Sequence, residues 1–433
     1  MKTYEKYKDS GVEWIGQIPS HWDTIRLANV FRPVSIKNHP NEQNLSVYRD
    51  YGVIPRDSRD DNHNVVSDDT NGYKLVEVGD FVMNKMKCWM GSIGLSHYRG
   101  IVSPAYIVLK VNKPSVYPNF YHYLLRSPLY IPEYRRLSYG VREGQWDMRF
   151  EDFREIQGLL PPLPEQHQIV SFLDEKTSLI DDLIQKKEQK IGLLKEYRTS
   201  LINRVITKGL NPDCPMKDSG VEWIGEIPSH WDVTPIKFLV SSPITDGPHE
   251  TPEFIDDGVP FLSVEGIVGD KIDFSKIRGF ISQDLHVQYS KKCKPQRNDV
   301  LLVKSGSTTG KSTIVETDLD FNIWSPLCII RSNTDKVIPR FTYLVCQSGY
   351  FRLLIELNWS YGTQPNIGMG VIENIRLVIP PLSEQEEIVS FLDEKTSGID
   401  RTIQSEKNKI ELLKEYRQSL ISSVITGKIK VVN

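Results

Sequence analysis

A helix-forming segment occurs twice in this chain. The segment Ile169–Gly209 returns 219 positions later as Ile388–Lys428, and 28 of the 41 positions are identical. A second pair agrees with it, because Lys8–Asp23 and Lys217–Asp232 differ at one position in sixteen. A repeat of this length requires a fold built from two related halves. We call Lys8–Asp23 and Lys217–Asp232 the openers. Each half of the chain therefore consists of an opener, a variable region and a long helix, in that order.

Each copy of the segment has coiled-coil spacing. Apolar residues follow alternating steps of three and four, provided that Lys187 and Arg198 are accepted as polar positions in the seam. PPLPEQ and PPLSEQ precede the two helices, Ser383 with Glu386 predicts a capping box, and Gly209 and Gly427 predict the ends. At 1.5 Å per residue, about 40 residues give a rod of roughly 60 Å. The predicted seam residues are Ile180, Ile184, Ile191, Leu194, Leu201 and Val205, with Ile399, Ile403, Ile410, Leu413, Leu420 and Val424.

The variable regions predict mixed domains. Short β-rich runs and short helical patches alternate with Gly, Pro and Asn turns over 137 residues in the first half and 147 in the second. Gly79-Asp80 corresponds to Asn298-Asp299, and Ser103-Pro104 to Ser325-Pro326, so we expect one fold with two different surfaces. The openers, rich in Trp, Pro and Gly, predict a packed, non-regular clasp.

Composition limits the class of protein. The chain is 39% hydrophobic and 25% charged, as is usual for a globular protein, and it has neither a signal peptide nor an apolar run that could span a membrane. We therefore predict a cytoplasmic protein. Its five cysteines are far apart and predict reduced structural thiols rather than a zinc site or a disulfide framework.

Basic residues are concentrated in two stretches. Phe81–Arg149 has a net charge of +7 and His286–Ser312 a net charge of +5, although the whole chain is at −3. Local basic surface on a mildly acidic chain suits a protein that contacts phosphates in two places. Two solvated basic faces are the simpler interpretation.

No catalytic motif is complete. The loop GSTTGKS at Gly306–Ser312 has three residues between its glycines where the phosphate-binding loop of NTPases needs four. The nine histidines form no ligand-spaced cluster, and no nucleophile elbow is present. We therefore predict a chain with no catalytic residues and no metal site.

Clusters of aromatic, amide and basic residues remain as candidates for reading nucleic acid. Arg, Lys, Gln and Asn can contact base edges bidentately, whereas contacts to the phosphate backbone only position the protein. Exposed polar loops without function are the alternative. The candidates are Lys85, Lys87, Trp89, Tyr139, Arg142, Gln145, Trp146 and Arg149 in the first half, and His249, Lys304, Ser305, Thr308, Lys311, Tyr361, Thr363, Gln364 and Asn366 in the second.

The helical repeat also preserves residues that a coiled-coil seam leaves outside. A recent duplication would explain this, and so would a surface presented to two copies of one partner. The candidate partner-binding residues are Glu175, Lys176, Lys195, Glu196, Glu394, Lys395, Lys414 and Glu415.

As a set, these motifs resemble the specificity subunit of type I restriction-modification systems. The resemblance rests on the doubled LLKEYR…SLI…VIT helix, the repeated SGVEWIG.IPSHW opener, the PPL.EQ sequences, and TDGPHETPEF at Thr245–Phe254 followed by GVPFLSVEGI. It covers essentially the whole chain. The first variable region departs from the pattern because it lacks the DGPHETP sequence.

The resemblance implies an α+β fold with two mixed α/β target-recognition domains, separated by two long helices in an antiparallel coiled coil with an internal pseudo-two-fold repeat. Each domain would read one half of a bipartite duplex DNA site, and the helices would set the unread spacer. The predicted boundaries are 1–23 for the N-terminal clasp, 24–160 for the first domain, 161–210 for the central helical region, 211–232 for the linker and second clasp, 233–379 for the second domain, and 380–433 for the C-terminal helical region.

The resemblance also implies partners. Two modification (adenine methyltransferase) subunits would dock on the helices, and restriction subunits would join the full complex. S-adenosylmethionine, and ATP with Mg, would be bound by those partners and not by this chain. Two alternatives stay open: a coiled-coil scaffold or adhesion protein that binds no DNA, and a single-chain enzyme, for which we find no cofactor or nuclease motif.

Overall fold

The computed structural model describes residues 2–49, 51–59, 69–140, 146–361 and 364–431. The chain forms two compact units, one from Met1–Lys187 with Lys407–Asn433 and the other from Glu188–Glu406. Each unit therefore contains one opener, one variable region, the first part of one long helix and the last part of the other. Neither unit comes from a single half of the sequence.

The first unit contains twelve described strands and three short helices before its long helix. The strands are β1 Tyr7–Asp9, β2 Gln17–Pro19, β3 Asp23–Arg26, β4 Phe31–Val34, β5 Leu45–Tyr48, β6 Gly52–Pro55, β7 Lys74–Val76, β8 Phe81–Asn84, β9 Ile93–Leu95, β10 Gly100–Val102, β11 Tyr106–Val111 and β12 Gln157–Leu160. The helices are α1 Pro118–Arg126, α2 Ile131–Arg136, α3 Phe150–Phe153 and the long α4 Leu163–Lys208, which continues into the second unit.

The second unit repeats this order with additional strands. They are β13 Met216–Asp218, β14 Glu226–Pro228, β15 Asp232–Pro235, β16 Thr245–Asp246, β17 Val259–Leu262, β18 Ile267–Val268, β19 Lys271–Ile272, β20 Gly279–Ile281, β21 Val300–Val303, β22 Ser312–Ile314, β23 Asn322–Ile323, β24 Leu327–Ile330, β25 Ser360–Tyr361, β26 Pro365–Asn366 and β27 Arg376–Ile379. The helices are α5 Gln283–Ser290, α6 Pro339–Cys346, α7 Gly349–Asn358, α8 Met369–Asn374 and the long α9 Leu382–Ile425.

A four-stranded antiparallel sheet of the same topology lies in each unit. The strand order is β4-β11-β8-β9 in the first unit and β16-β24-β21-β22 in the second. The turn before the central strand is also the same, because Gly79 and Asn298 both have positive φ. In both turns the next residue, Asp80 or Asp299, accepts a hydrogen bond from the main chain three residues earlier. The prediction that one fold appears twice is confirmed, and so is the α+β class.

The predicted match of Ser103-Pro104 with Ser325-Pro326 is one residue out of register. Lys85 N donates to Ala105 O in the first unit, and Lys304 N donates to Pro326 O in the second, so Ala105 corresponds to Pro326. Two further details differ from expectation. Helix α9 begins at Leu382, so Ser383 lies inside the helix and cannot be its N-cap. The openers are not irregular, because each contains a short antiparallel hairpin, β1–β2 or β13–β14.

Each opener packs on the end of a long helix in its own unit. Trp22 and Trp231 are fully buried. A Cβ atom on Gly427 would lie 3.1 Å from the Trp22 ring, and one on Gly209 would lie 3.1 Å from the Trp231 ring. Both glycines have φ of +73°, the left-handed conformation that ends helices. The left-handed backbone and the adjoining tryptophan, together with Pro19 at 2.5 Å in the case of Gly427, thus favour glycine at both helix ends.

The two long helices run antiparallel within each unit. In the first unit Ile169, near the start of α4, shares a core with Val424, near the end of α9, and Arg417 Nε donates to Asp181 Oδ1 at 2.9 Å. The second unit contains the repeat-equivalent ion pair, in which Arg198 Nε lies 3.1 Å from Asp400 Oδ1. The predicted seam residues are buried or half-buried.

One seam residue was not predicted. Glu406 is 4% exposed, and its Oε1 lies 3.0 Å from Lys190 Nζ in the second unit. Its repeat equivalent is Lys187, so the two helices differ in the sign of the charge at this seam position. A charged residue in an apolar seam can specify register.

A buried glutamine attaches each long helix to its variable domain. Gln166 is fully buried. Its Oε1 accepts from Tyr117 N at 2.8 Å, and its Nε2 donates to the carbonyls of Ser115 and Pro161 at 2.9 and 2.8 Å. Gln385 makes the same three bonds in the second unit. The glutamine of the repeated EQ pair therefore fixes where each long helix joins its variable domain.

We expect Gln166→Ala to destabilise the first unit by about 3 kcal/mol or more, because a buried polar group left unsatisfied costs ~1–3 kcal/mol and three would lose their partner. Gln168→Ala is the matched control, since Gln168 is exposed on the same helix and should change stability by less than ~0.5 kcal/mol. Denaturant unfolding measures both. Equal effects of the two substitutions would contradict the anchoring role.

Candidate nucleic-acid interface

Two loops that the sequence singled out separately meet in the first unit. The short 3-10 helix Lys85–Met90 follows strand β8, and the described residues 139–140 and 146–149 precede helix α3. The main chain of Lys85 joins them, because its N–H donates to Ala105 O and its carbonyl accepts from Met148 N, both at 3.1 Å. The position of Lys85 is thus fixed by backbone bonds on both sides.

The second unit has the same arrangement. Lys304 N donates to Pro326 O and Lys304 O accepts from Ile367 N, both at 2.8 Å. Lys85 and Lys304 therefore occupy equivalent places in the fold. Because Met148 corresponds to Ile367, Asp147 corresponds to Asn366.

The first site is aromatic and basic. The rings of Trp89 and Trp146 lie 5.2 Å apart, and the Arg135 guanidinium lies 5.5 Å from the Trp89 ring. Tyr139 and Asp147 close the second loop with backbone hydrogen bonds of 3.1 and 2.7 Å. Lys87, Tyr139 and Arg149 are exposed. The candidates Arg142 and Gln145 lie outside the described residues.

The second site is a polar pocket of about 490 Å³. It brings together five predicted residues from three separate segments. Its lining consists of His249, Lys304, Ser305, Ser325, Pro326, Ser360, Gln364 and Asn366. The side chain of Tyr361 and all of Thr363 lie outside the described residues.

A buried carboxylate lies beside this pocket. Asp246 is 1% exposed and its Oδ1 accepts from Lys292 Nζ at 2.6 Å, while its Oδ2 lies 3.2 Å from Lys304 Nζ and 3.1 Å from His249 Nε2. Burial alone would raise the pKa of Asp246, but the bonds from the two lysines outweigh it and hold the pKa below its usual value. The carboxylate therefore orients two basic side chains that line the pocket, Lys304 and His249.

Two other predicted residues of the second site lie away from the pocket lining. Lys311 Nζ donates to the carbonyl of Ile267 at 2.6 Å, and burial lowers the pKa of Lys311. Thr308 is exposed on the same loop. The ammonium group of Lys311 is therefore bonded to a backbone carbonyl of its own domain.

The eight predicted partner-binding residues are exposed on the long helices, apart from Lys176, which is half-buried. Lys176 pairs with Glu175 at 2.8 Å, and Lys395 pairs with Glu394 at 3.1 Å. These neighbouring ion pairs are repeat equivalents.

Sequence reasoning missed two kinds of residue. Asp147 and Asp246 are the acidic residues of the two sites, and neither was among the predicted site residues, although Asp246 lies within the TDGPHETPEF motif. The repeat also preserves exposed apolar residues, since Leu193 and Tyr197 are 65% and 58% exposed and their equivalents Leu412 and Tyr416 are 63% and 48% exposed. The LLKEYR motif contained this signal, because these residues lie off the predicted seam.

The described part of the chain also lacks certain features. It contains no group of three or more His, Cys, Asp or Glu side chains that could hold a metal ion. None of its helices is long and apolar enough to cross a membrane.

We expect Asp246→Ala to destabilise the second unit by roughly 3–5 kcal/mol, because removing one partner of a buried ion cluster leaves uncompensated charge. The matched control is Asp318→Ala. Asp318 pairs with Arg297 at 2.7 Å but its side chain is 78% exposed, so its loss should change stability far less than the loss of Asp246. Denaturant unfolding compares the two, and equal costs would rule out the buried-cluster interpretation.

Comparison with known proteins agrees with this arrangement. The model of the type I restriction modification DNA specificity domain matches residues 19–193 and 244–415. The chain is 26% identical to the type I restriction enzyme MjaVIII specificity subunit of Methanocaldococcus jannaschii over 65% of this chain and 64% of that protein. It is 24% identical to the EcoBI specificity subunit of Escherichia coli over 62% of this chain and 58% of that protein. A putative MjaX specificity subunit of M. jannaschii matches at 23% identity over 96% of both chains.

Solved structures show the same fold. One, described as the structural basis of complex assembly and conformational transition of the type I R-M system, has a TM-score of 0.69 at 18% identity and covers 95% of this chain and 99% of that one. The HsdS subunit from Thermoanaerobacter tengcongensis has a TM-score of 0.50 at 18% identity, covering 95% of this chain and 98% of that one. The match of the family model to both repeats, on a fold built twice, shows that this chain belongs to the family of type I restriction-modification DNA specificity subunits.

Proposed function

We propose that each unit of this chain reads one half of a bipartite duplex DNA site. The observation that supports the proposal most strongly is that two different sets of side chains occupy equivalent loops of the same fold. Two domains with one shared target would keep the same side chains at these loops. Two readers of different half-sites would differ there.

The chemistry of the two sites suits DNA. The first offers lysine, arginine and a tilted pair of tryptophan rings, and the second offers lysine, histidine, hydroxyls and the amides of Gln364 and Asn366. Side chains of these types read base edges in the major groove. The exposed basic residues around them would contact phosphates and supply affinity that falls with salt concentration.

We further propose that the long helices dock two modification methyltransferase subunits and set the unread spacer. The support is the duplicated patch of Leu193 with Tyr197 and Leu412 with Tyr416, flanked by the repeated charged residues. Exposed aromatic and aliphatic residues bordered by polar ones are typical centres of protein interfaces. The chain itself would be non-catalytic, with S-adenosylmethionine and ATP with Mg bound by its partners.

The division into two readers can be tested with paired substitutions. We expect Gln364→Ala with Asn366→Ala to relax one half of the methylated motif, at a cost of ~1–3 kcal/mol per lost bidentate contact, and Arg149→Ala to affect only the other half. Methylation-sensitive sequencing of cells that express the complex reports both halves at once. Gln288→Ala, an exposed amide elsewhere in the second unit, is the control. If either change altered both halves, the division would be wrong.

Docking can be tested by counting partners. Leu193→Ala with Tyr197→Ala should remove one interface centre, worth about 2 kcal/mol or more, and leave one methyltransferase subunit bound instead of two at limiting concentration. Leu412→Ala with Tyr416→Ala should do the same for the other copy. Native mass spectrometry measures the stoichiometry, with Glu387→Ala as an exposed control that the repeat does not preserve. Two tightly bound copies on both variants would exclude this surface.

A further inference from the structure

We propose that Lys85 and Asp147 together read one G·C base pair in the half-site of the first unit. Lys85 would donate to guanine and Asp147 would accept from cytosine. The inference rests on the proposed function, because it takes the first unit to be a DNA reader. It goes further by assigning two residues and the base pair that they select.

Both residues have fixed backbones and accessible side chains. Lys85 is bonded through its N–H and its carbonyl to two different segments. Asp147 exchanges backbone hydrogen bonds with Tyr139, and Met148, which follows it, is fully buried. The side chains of Lys85 and Asp147 are 33% and 36% exposed. Fixed backbones with partly open side chains favour reading, since little conformational freedom remains to be lost on binding.

The two charged groups lie close enough together to contact a single base pair. Lys85 Nζ lies 4.0 Å from Asp147 Oδ2, too far for a hydrogen bond but near enough for an ion pair. Guanine O6 and cytosine N4 are hydrogen-bonded to each other and so lie ~2.9 Å apart. The Lys85 ammonium can therefore donate to guanine O6 while the Asp147 carboxylate accepts from cytosine N4 of the same base pair.

The carboxylate also argues against a phosphate as the ligand of Lys85. A phosphate bound by this lysine would lie close to the negative charge of Asp147 and be repelled by it. A base edge carries no net charge, so the pair can accept it without that cost. Lysine with an adjacent carboxylate thus favours a base contact over a backbone contact.

Guanine with cytosine satisfies the pair best. Guanine presents two acceptors, N7 and O6, to a lysine, and cytosine presents the N4 donor to a carboxylate. An A·T pair also places an acceptor beside a donor, but it offers the lysine one acceptor at a time and adds the thymine methyl group. The geometry therefore points to G·C.

The second unit provides an internal comparison. Lys304 stands at the place of Lys85, but Asn366 stands at the place of Asp147. The acid that pairs with Lys304 is Asp246, which is 1% exposed and cannot reach a base. Asp147→Asn would therefore give the first unit the side-chain types of the second at these two positions.

The experiment measures methylation of duplexes that carry each base pair in turn at every position of the first unit's half-site, using the chain with its modification subunit. We expect Lys85→Met and Asp147→Asn to relax the same single position, a G·C pair in the wild type, by roughly 5- to 150-fold. Lys85→Arg should retain the preference, because arginine also contacts guanine N7 and O6. The control is Lys37→Met, an exposed lysine in the same unit outside both loops.

Three results would overturn the assignment. Lys85→Met could weaken methylation of all sequences equally and reduce its salt dependence, which would make the ligand a phosphate. The relaxed position could be an A·T pair, or the two substitutions could relax different positions. Asp147→Asn is isosteric, and thermal unfolding of each variant separates loss of fold from loss of reading. Failure of the proposed function is distinguishable, since the wild-type complex would then show no bipartite motif at all.

Discussion

The antiparallel pairing of the two repeated helices is the interaction on which the rest of this structure depends. Each unit is completed by a helix segment from the other half of the sequence, and the main core of the first unit includes Leu420, Val424 and Ile425 from the end of the chain. Arg417 with Asp181 in the first unit and Arg198 with Asp400 in the second are the same ion pair made twice. The helices therefore pair through equivalent residues in both units.

The recognition loops are supported in a way that leaves their side chains free to differ. Lys85 and Lys304 are held by main-chain hydrogen bonds, which do not depend on the identity of the side chain. The buried glutamines and tryptophans stabilise each unit outside the recognition loops. They stand at positions that are identical in the two repeats. Because these loops are held through their backbones, their side chains can differ at little cost to folding. The first unit presents lysine with tryptophan, and the second presents lysine with amides.

The sequence predicted the parts of the fold that depend on local periodicity or on repetition. The seam, the glycine ends of the helices and the mixed domains follow from spacing and turn residues. Contacts between segments that are far apart in the chain do not follow from such local patterns. The pairing of Asp246 with Lys304 was missed for this reason. The start of α9 was misplaced because the strong pattern of Ser383 with Glu386 competed with a helix that begins directly after Pro380-Pro381.

The sequence predicted the candidate residues of the two sites, but not which of them lie together in the fold. Residues from the segment after β21 and from the hairpin of β25 and β26 form one pocket because backbone hydrogen bonds join them, from Ile367 N to Lys304 O and from Gly306 N to Pro365 O. Leu193 and Tyr197 were passed over because apolar residues on a helix are expected to be buried, and exposure can be read only from the packed structure.

The most direct test of the central claim, that this chain is one reader built twice, is the methylated motif in a cell that expresses it with its modification subunit. Two specified blocks separated by an unread spacer, with adenine methylation that requires this chain, are predicted. A single continuous block, or methylation that persists without this chain, would contradict the account.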